Sequence, residues 1–247
     1  LVSLLIAGLI TGIIGFLVGL PAVRLSGQYL AIATIGFGVA VPQIALKWES
    51  LTGGAMGLLP SAPSIGPFEF NTDMRIYYLV LAFVILVYWT MKNIEKSRFG
   101  RMFYAVRDSE VAAQAMGVHL PLVKAFLFAL SAFYAGIAGS LFAHSVQYIS
   151  PGDISFSVSL MLFGMMVVGG ATSLGGAIAG AAVMYLVGQL TNEMHGLSIV
   201  INGVVMILVI LFFPNGLAGL KDAAVSLFSR KKSGPQVMNP TSVRERG

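Results

Sequence analysis

The sequence predicts an all-α fold: a polytopic bundle of about seven transmembrane helices, with a short cytoplasmic helix between the third span and the fourth. Three observations support this prediction. Hydrophobic residues make up 57% of the 247 and charged residues only 10%, with a mean hydropathy of +0.86, whereas soluble domains carry about 25% charged residues. Apolar runs near the length that crosses a bilayer, about 20 residues, recur along the chain. Lys and Arg residues concentrate in alternate connections between these runs.

The candidate spans follow one another with polar or glycine-rich connections. Residues 158–170 and 176–189 are short, and glycines without any charge separate them. Two short helices, one long kinked helix or a re-entrant pair would each satisfy this pattern, and we expect two short helices joined near the cytoplasmic face. Pro42 lies inside the second span and is expected to kink it. The expected spans are roughly 1–20, 29–46, 77–91, 125–143, 158–170, 176–189 and 198–213.

Small residues recur at four-residue spacing within the spans. This spacing lets helix backbones approach closely, which matters in lipid because no hydrophobic force draws helices together there. We expect most of these pairs to pack within one subunit, with subunit contacts or a substrate path as alternatives. The pairs are Gly8/Gly12, Gly15/Gly19, Ala132/Gly136, Ala135/Gly139 and Gly176/Gly180.

Basic residues distinguish the two sides of the membrane. Of the 15 Lys and Arg residues, 13 follow span one, separate spans three and four, or follow the last span. If these segments are cytoplasmic, the connections 47–76, 144–157 and 190–197 lie outside, with Lys47 and Arg75 as their basic residues. The first span therefore begins outside, and the C-terminus is cytoplasmic.

The segment 92–124 interrupts the apolar chain with a pattern typical of soluble helices. Its first part has apolar residues at i, i+3, i+4 and i+7, which form one helical face, and three arginines off that face. This pattern predicts a helix along the cytoplasmic membrane surface with its arginines near the headgroups. The apolar positions are Phe99, Met102, Phe103 and Val106, and the arginines are Arg98, Arg101 and Arg107.

A second helix of about two turns follows, with the sequence EVAAQAM. Asp108 or Ser109 can cap it, and Glu110 lies favourably in its first turn. Gly117 offers a left-handed position at its end, before Pro121. Because an isolated two-turn helix is unstable in water, it must rest on its own subunit as a surface linker or be held by another protein. A small face permits the second arrangement, formed by Ala112, Ala113 and Ala115.

The sequence shows no pattern for catalysis, for nucleotide binding or for a metal. The chain has no cysteine, and its three histidines lie in separate connections without ligand spacing. Gly170 and Gly175 have the spacing of a P-loop, but Gly176 occupies the place of the lysine that reaches the phosphates. We therefore expect no cofactor, and ATP used in transport would be hydrolysed on another chain.

No ionisable residue lies near the middle of an expected span. Proton-driven carriers usually need such a group, so its absence argues against that class. It fits a path for a substrate with an apolar side chain, whose polar backbone would still need partners. Thr34, Gln43, Gln189 and Asn202 are intramembrane candidates, although hydrogen bonds between helices explain them equally. The sequence therefore assigns no substrate site.

In order and spacing, several stretches resemble the M-type membrane subunit of high-affinity branched-chain amino acid ABC importers (LivM type), over roughly 1–220. The short helix and its break resemble the coupling loop of ABC importer permeases, in which an E-A-A, three residues, G pattern recurs. Ala112, Ala113 and Gly117 match that pattern, and Glu110 departs by one place because Val111 intervenes. The stretches are RLSGQYLAIATIGFG (24–38), LTGGAMGL (51–58), SRFGRMFYAVRDSEVAAQAMGV (97–118), KAFLFALSAFYAGIAGSLFAH (124–144), YISPGDISFSVSL (148–160), VVGGATSLGGAIAGA (167–181) and ILFFPNGLAGL (210–220).

The resemblance implies a transport subunit, not an enzyme, in the bacterial inner membrane. Its implied partners are a paralogous permease subunit in a heterodimer, two cytoplasmic ATP-binding subunits and a periplasmic substrate-binding protein, besides membrane lipid and with no nucleic acid. Residues 110–116 would sit in a groove on an ATP-binding subunit. In that arrangement Ala112, Ala113, Ala115 and Met116 supply the close contact, Arg107 and Glu110 set the register, and Gly117 turns the chain back.

The resemblance also implies a permease domain at 1–220 with its coupling loop at 92–124, followed by a polar tail at 221–247 that we expect to be disordered. We expect the chain to lack the N-terminal spans of the family. The Gly- and Pro-rich outer connection should be irregular, and Glu69 and Asp73 in it are candidates for docking the binding protein. A permease for urea or short amides and an autonomous channel or secondary carrier are the alternative functions.

Overall fold

The computed structural model describes residues 2–22, 28–60, 64–65, 68–69, 72–170 and 172–191, together with 203–204, 207–208, 211 and 216. The chain divides into two compact units, residues 1–156 and 157–247. The helices are α1 (Val2–Ala22), α2 (Gln28–Lys47), α3 (Glu49–Thr52), α4 (Asp73–Lys96), α5 (Arg98–Asp108), α6 (Glu110–Ala115), α7 (Leu120–Val146), α8 (Phe156–Gly169) and α9 (Leu174–Thr191).

The first four expected spans are confirmed as helices. In the described part of the chain, α1, α2, α4 and α7 are long and apolar enough to cross a membrane. The helix α2 continues through Pro42 to Lys47. Helices α8 and α9 are separate, with a bend of 120° at the break between them. The expected span 198–213 lies largely outside the described residues, and the tail 221–247 lies wholly outside them.

Helices α1 and α7 pack against each other through glycines. A Cβ placed on Gly15 would lie 2.9 Å from the carbonyl oxygen of Phe128, and a Cβ on Gly19 would lie 2.9 Å from the Cβ of Phe128. Gly136 of α7 packs in return on Thr11, so that neither helix leaves room for a larger side chain. The small-residue spacing therefore marks a true helix contact, as predicted. The glycines of α1 that face α7 are Gly8, Gly12, Gly15 and Gly19.

The second small-residue pair of α7, Ala135/Gly139, does not take part in this contact. A Cβ on Gly139 would meet no described atom within 4 Å, and Ala135 is exposed. The same four-residue spacing thus forms a helix contact at Ala132/Gly136 and an open surface at Ala135/Gly139.

A small apolar core forms where α1, α4 and α7 meet, with Val80, Phe83 and Phe133 packed around it. The hydroxyl of Tyr134 on α7 lies 3.1 Å from the hydroxyl of Thr90 on α4 and adds a polar link between the two helices. The buried members of this apolar core are Leu4, Leu79, Ile137 and Leu141.

The connection after α2 is more ordered than the sequence suggested. It contains α3, a 3₁₀ turn (Gly54–Met56) and a two-stranded antiparallel hairpin, β1 (Ser64–Ile65) and β2 (Phe68–Glu69). The expectation of an irregular loop is wrong here because the side chain of Thr52 closes back on α2, with its hydroxyl 2.6 Å from the carbonyl oxygen of Ala45. Leu58 then pairs with the segment that follows α7, as the backbone N–H of Leu58 donates to the oxygen of Ile149 at 2.8 Å.

In the second unit, α8 and α9 also touch through glycines. A Cβ on Gly169 would overlap the carbonyl oxygen of Gly176, and a Cβ on Gly180 would overlap that of Met165. Val168 is fully buried beside this contact. The predicted close approach at Gly176/Gly180 is therefore confirmed within this unit.

Candidate functional site

A tight corner joins α4 to α5. The side-chain oxygen of Ser97 accepts a hydrogen bond of 3.3 Å from the backbone N–H of Gly100 and caps α5. A Cβ at Gly100 would overlap the carbonyl oxygens of Ile94 and Glu95 at the end of α4. Only glycine permits this approach, so the corner is set by one residue and its cap.

Glu95 connects the two helices at this corner. Lys92 places its Nζ 2.8 Å from Oε2 of Glu95, and the hydroxyl of Tyr104 on α5 donates to Oε1 at 2.9 Å. The hydrogen bond to Glu95 raises the pKa of Tyr104, and a phenol is protonated at neutral pH even at its ordinary pKa of about 10, so Tyr104 donates there. The carboxylate therefore holds α5 in a defined position on α4.

The predicted apolar face of α5 packs on the start of α7. Val106 is buried, and the rings of Phe99 and Phe103 stack on Phe126 with centroids 5.6 Å and 6.4 Å apart. The arginines Arg98, Arg101 and Arg107 are exposed, as the pattern predicted. The apolar face of α5 is thus partly covered by the chain itself.

Helix α6 begins at Glu110, as the sequence predicts, and ends at Ala115, one residue before the end of the expected stretch EVAAQAM. Ser109 is the N-cap, because its Oγ accepts a hydrogen bond of 3.2 Å from the backbone N–H of Ala112. Ala113 is only 3% exposed, while Val111 and Met116 are 80% and 85% exposed. The short helix therefore rests on the chain through one alanine and presents two large apolar side chains on its open side.

Gly117 ends α6 in the left-handed conformation, with φ of 82°. The N–H of Val118 donates to the oxygen of Ala113 and the N–H of Gly117 to that of Gln114, each at 3.0 Å. This pair of bonds is the Schellman motif, which satisfies carbonyl groups that the helix end leaves unpaired. The predicted turn at Gly117 is confirmed.

A salt bridge joins α6 to α7. The Nζ of Lys124 lies 2.7 Å from Oε2 of Glu110, and both side chains are partly exposed. Such an exposed pair contributes about 0.2–1 kcal/mol, a modest amount that still matters for a helix of two turns. Glu110 therefore orients α6 against its own chain.

The remaining predicted contact residues are placed differently from one another. Ala112, Ala115 and Met116 lie on the exposed side of α6. Arg107 is exposed, and no described carboxylate lies within 4 Å of it. Ala113 differs from these residues because its side chain is only 3% exposed.

Sequence reasoning missed two residues of this segment. In the motif comparison Val111 is only an interruption, yet it is among the most exposed apolar side chains of α6. The charge distribution identifies Lys124 only as a basic residue of the loop. The sequence signal for this pairing is that Lys124 lies one turn inside α7 and fourteen residues after the carboxylate of Glu110. Pairing over that separation requires the turn at Gly117.

The polar residues considered for a substrate show no common site in the described part of the chain. The hydroxyl of Thr34 donates to backbone oxygens of its own helix at 2.9 and 3.0 Å. The amide of Gln189 donates to the hydroxyl of Tyr185 at 2.8 Å. Gln43 is exposed on α2, and Asn202 lies outside the described residues.

Comparison with known proteins shows clear relatives. The family model described as "Branched-chain amino acid transport system / permease component" matches residues 1–214. The high-affinity branched-chain amino acid transport system permease proteins LivM of Salmonella typhimurium (strain LT2) and Escherichia coli (strain K12) are each 29% identical over 94% of this chain. The chain spans 60% of the length of each of these relatives.

A more distant relative is named for the import of a different substrate. The autoinducer 2 import system permease protein LsrC of Salmonella paratyphi B is 27% identical over 70% of this chain and 46% of its own length. No solved structure matches the chain.

Proposed function

Because the chain belongs to the branched-chain amino acid transport system permease family, we propose that it is the membrane permease subunit of an ATP-driven importer. It forms part of the pathway for branched-chain amino acids, which a periplasmic binding protein delivers. The observation that carries this proposal is α6: a capped two-turn helix between two spans that presents Val111 and Met116 away from its own chain. Exposed apolar side chains in this position suit contact with a soluble protein.

The proposed topology has seven spans, with the first beginning outside and the C-terminus cytoplasmic in the bacterial inner membrane. The distribution of 13 of the 15 basic residues supports it. Residues 1–220 form the permease domain, with the coupling loop at 92–124, and 221–247 form a polar cytoplasmic tail. The connection after α2 then faces the binding protein.

The proposed assembly pairs this chain with a paralogous permease subunit and two cytoplasmic ATP-binding subunits. The sequence supports this division of labour, since Gly176 occupies the lysine position of its P-loop-like spacing and the chain lacks the means to bind ATP there. Energy for transport must then arrive from another chain through a mechanical contact.

In the proposed contact, α6 sits in a groove on an ATP-binding subunit. Ala112, Ala115 and Met116 approach that groove, with Val111 beside them, while Ala113 anchors the helix to its own chain. Glu110 sets the register from within by its bond to Lys124, and Arg107 on α5 faces the partner. A displacement of α6 would pass to α7 through this salt bridge and through the turn at Gly117.

The decisive test places a charge on the exposed side of α6. Ala112→Asp and Met116→Asp would each bury an unpaired carboxyl group in the proposed contact. Even a neutral polar group without a partner costs about 2–7 kcal/mol there, and the ionised carboxylate costs more. Both variants should insert normally, lose the co-purified ATP-binding subunit and lose uptake. The matched control is Asn93→Asp, an exposed position near the end of α4 that adds the same charge outside α6.

Normal retention of the ATP-binding subunit and normal uptake in both variants would make α6 a surface linker and end the coupling proposal. Ala113→Asp is a poor substitute, because burial of Ala113 within the chain means that a charge there would disrupt the subunit itself.

The substrate needs its own test, because a relative named for autoinducer 2 import is 27% identical to this chain over 70% of its length. Uptake of labelled leucine in membranes with the complete assembly should be reduced by isoleucine and valine and unaffected by urea or autoinducer 2. Competition by urea or autoinducer 2 alone would reassign the cargo. Leucine transport by the purified chain alone in liposomes, without any ATP-binding subunit, would instead favour an autonomous channel or carrier.

A further inference from the structure

An apolar groove lies where the ends of α1 and α7 meet α5 and the turn after α6. Its volume is about 560 Å³, within the range of roughly 300–1,000 Å³ that small-molecule sites occupy. Among the described side chains that line it, His119 is the polar one. The larger lining side chains are Phe16, Phe99, Met102, Phe103, Leu122 and Phe126.

The depth of the groove corresponds to the membrane boundary. Phe16 lies four residues before the end of the expected span 1–20, and Phe126 is the second residue of the expected span 125–143. At 1.5 Å per residue, both side chains lie within about 6 Å of the ends of these spans. This depth matches the boundary between headgroups and acyl chains, where apolar faces enter by about 5–10 Å. The groove is therefore positioned to meet lipid.

Basic residues adjoin the groove in the sequence of α5, because Arg98 precedes Phe99 and Arg101 precedes Met102. Two of its lining residues, Phe99 and Met102, are flanked by basic residues that are exposed and have no described carboxylate within 4 Å. The nearby carboxylates of Glu95 and Glu110 are engaged by Lys92 and Lys124. The exposed basic residues of this stretch without a described carboxylate within 4 Å are Lys96, Arg98, Arg101 and Arg107.

We propose that this groove binds one acyl chain of an anionic phospholipid whose phosphate lies against Arg98 and Arg101. The stacked rings of Phe99 and Phe126 form an apolar wall for the chain, and the two guanidinium groups suit the phosphate. Net positive charge favours an anionic lipid over a zwitterionic one. Met116 lines one end of the groove and also belongs to the proposed contact with the ATP-binding subunit, so the experiments below leave Met116 unchanged.

The experiment uses phosphatidylglycerol and phosphatidylcholine that carry the same photoreactive acyl chain, at equal mole fraction, in proteoliposomes with the whole chain. Mass spectrometry locates the labelled residues, and labelling of α2, none of whose described residues is buried, serves as the reference for ordinary lipid contact. Relative to α2, phosphatidylglycerol should label peptides around residues 99–103 and 122–126 more strongly than phosphatidylcholine does.

Two variants separate the headgroup site from the acyl-chain site. Replacing Arg98→Gln together with Arg101→Gln should lower phosphatidylglycerol labelling of these peptides by roughly 10- to 30-fold, since each basic residue near an anionic surface contributes to lipid attraction. The control Lys47→Gln removes a charge at the end of α2 and should change nothing. Leu122→Trp fills the groove and should reduce labelling by both lipids, whereas Phe142→Trp, on an exposed part of α7, should not.

Equal labelling of the groove peptides by the two lipids, or no response to the arginine replacements, would overturn the proposal. A photoreactive phenylalanine analogue at position 122 tests the other class of occupant in native membranes. A lipid adduct supports the proposal, and an adduct to a protein would assign the groove to that protein instead.

Discussion

Replacing Gly117 with valine isolates the backbone strain at the end of α6. The residue has φ of 82°, and a Cβ at this position would meet no described atom within 4 Å, so the Cβ itself causes no clash. The left-handed conformation costs an L-residue about 1–2 kcal/mol. Valine also restricts the unfolded chain, which offsets about 0.4–1 kcal/mol of that cost. The midpoints of these two ranges, about 1.5 and about 0.7 kcal/mol, leave a net loss of about 0.8 kcal/mol.

Hydrogen exchange measures this loss locally. The N–H groups of Val118 and residue 117 donate to α6 in the Schellman motif, so they exchange when the motif opens. Since about 1.4 kcal/mol is a factor of ten, we expect exchange of the peptide 113–120 to be about 4-fold faster in Gly117→Val, after correction for intrinsic rates. Peptides from the middle of α4 and α7 should be unchanged.

Two control variants define the cause. Gly117→Asn should lose less than half as much protection, because asparagine tolerates the left-handed region. Gly139→Val adds the same side chain to a helical glycine that also has no described neighbour within 4 Å, and it should leave protection of 113–120 unchanged. Equal exchange in wild type and Gly117→Val, or equal losses for valine and asparagine, would refute the argument from left-handed strain.

Two further predictions concern topology and helix packing. In this cysteine-free chain, Gln114→Cys on exposed α6 should resist an impermeant thiol reagent in intact cells while Met56→Cys in the outer connection reacts, and the reverse pattern would invert the proposed topology. Gly15→Ala would force apart α1 and α7, because its Cβ would lie 2.9 Å from the backbone oxygen of Phe128. The variant should lower the free energy of unfolding by about 1–3 kcal/mol in a detergent titration. Gly36→Ala, on α2 with no described atom within 4 Å of its Cβ, should be neutral or slightly stabilising, and equal losses in the two would argue against close packing at Gly15.

Features decided within one or two turns of chain could be predicted from the sequence. Apolar runs in the sequence indicate where α1, α2, α4 and α7 lie. This works because each polar residue placed in lipid costs free energy by itself, whatever the rest of the fold does. The two-turn helix, its serine cap and the left-handed Gly117 followed for the same reason, since capping and glycine conformation are local. The resemblance of the ordered motifs to a permease family was likewise readable from the sequence.

Only the tertiary structure decided which faces pair. Ala132/Gly136 and Ala135/Gly139 have the same spacing, yet only the first pair meets α1, because a close contact also needs a complementary helix more than 100 residues away. The burial of Ala113 and the bond from Glu110 to Lys124 depend on how α5 and α7 converge after the turn at Gly117. Spacing specifies that a face can pack, and the fold supplies the surface that covers it or leaves it open.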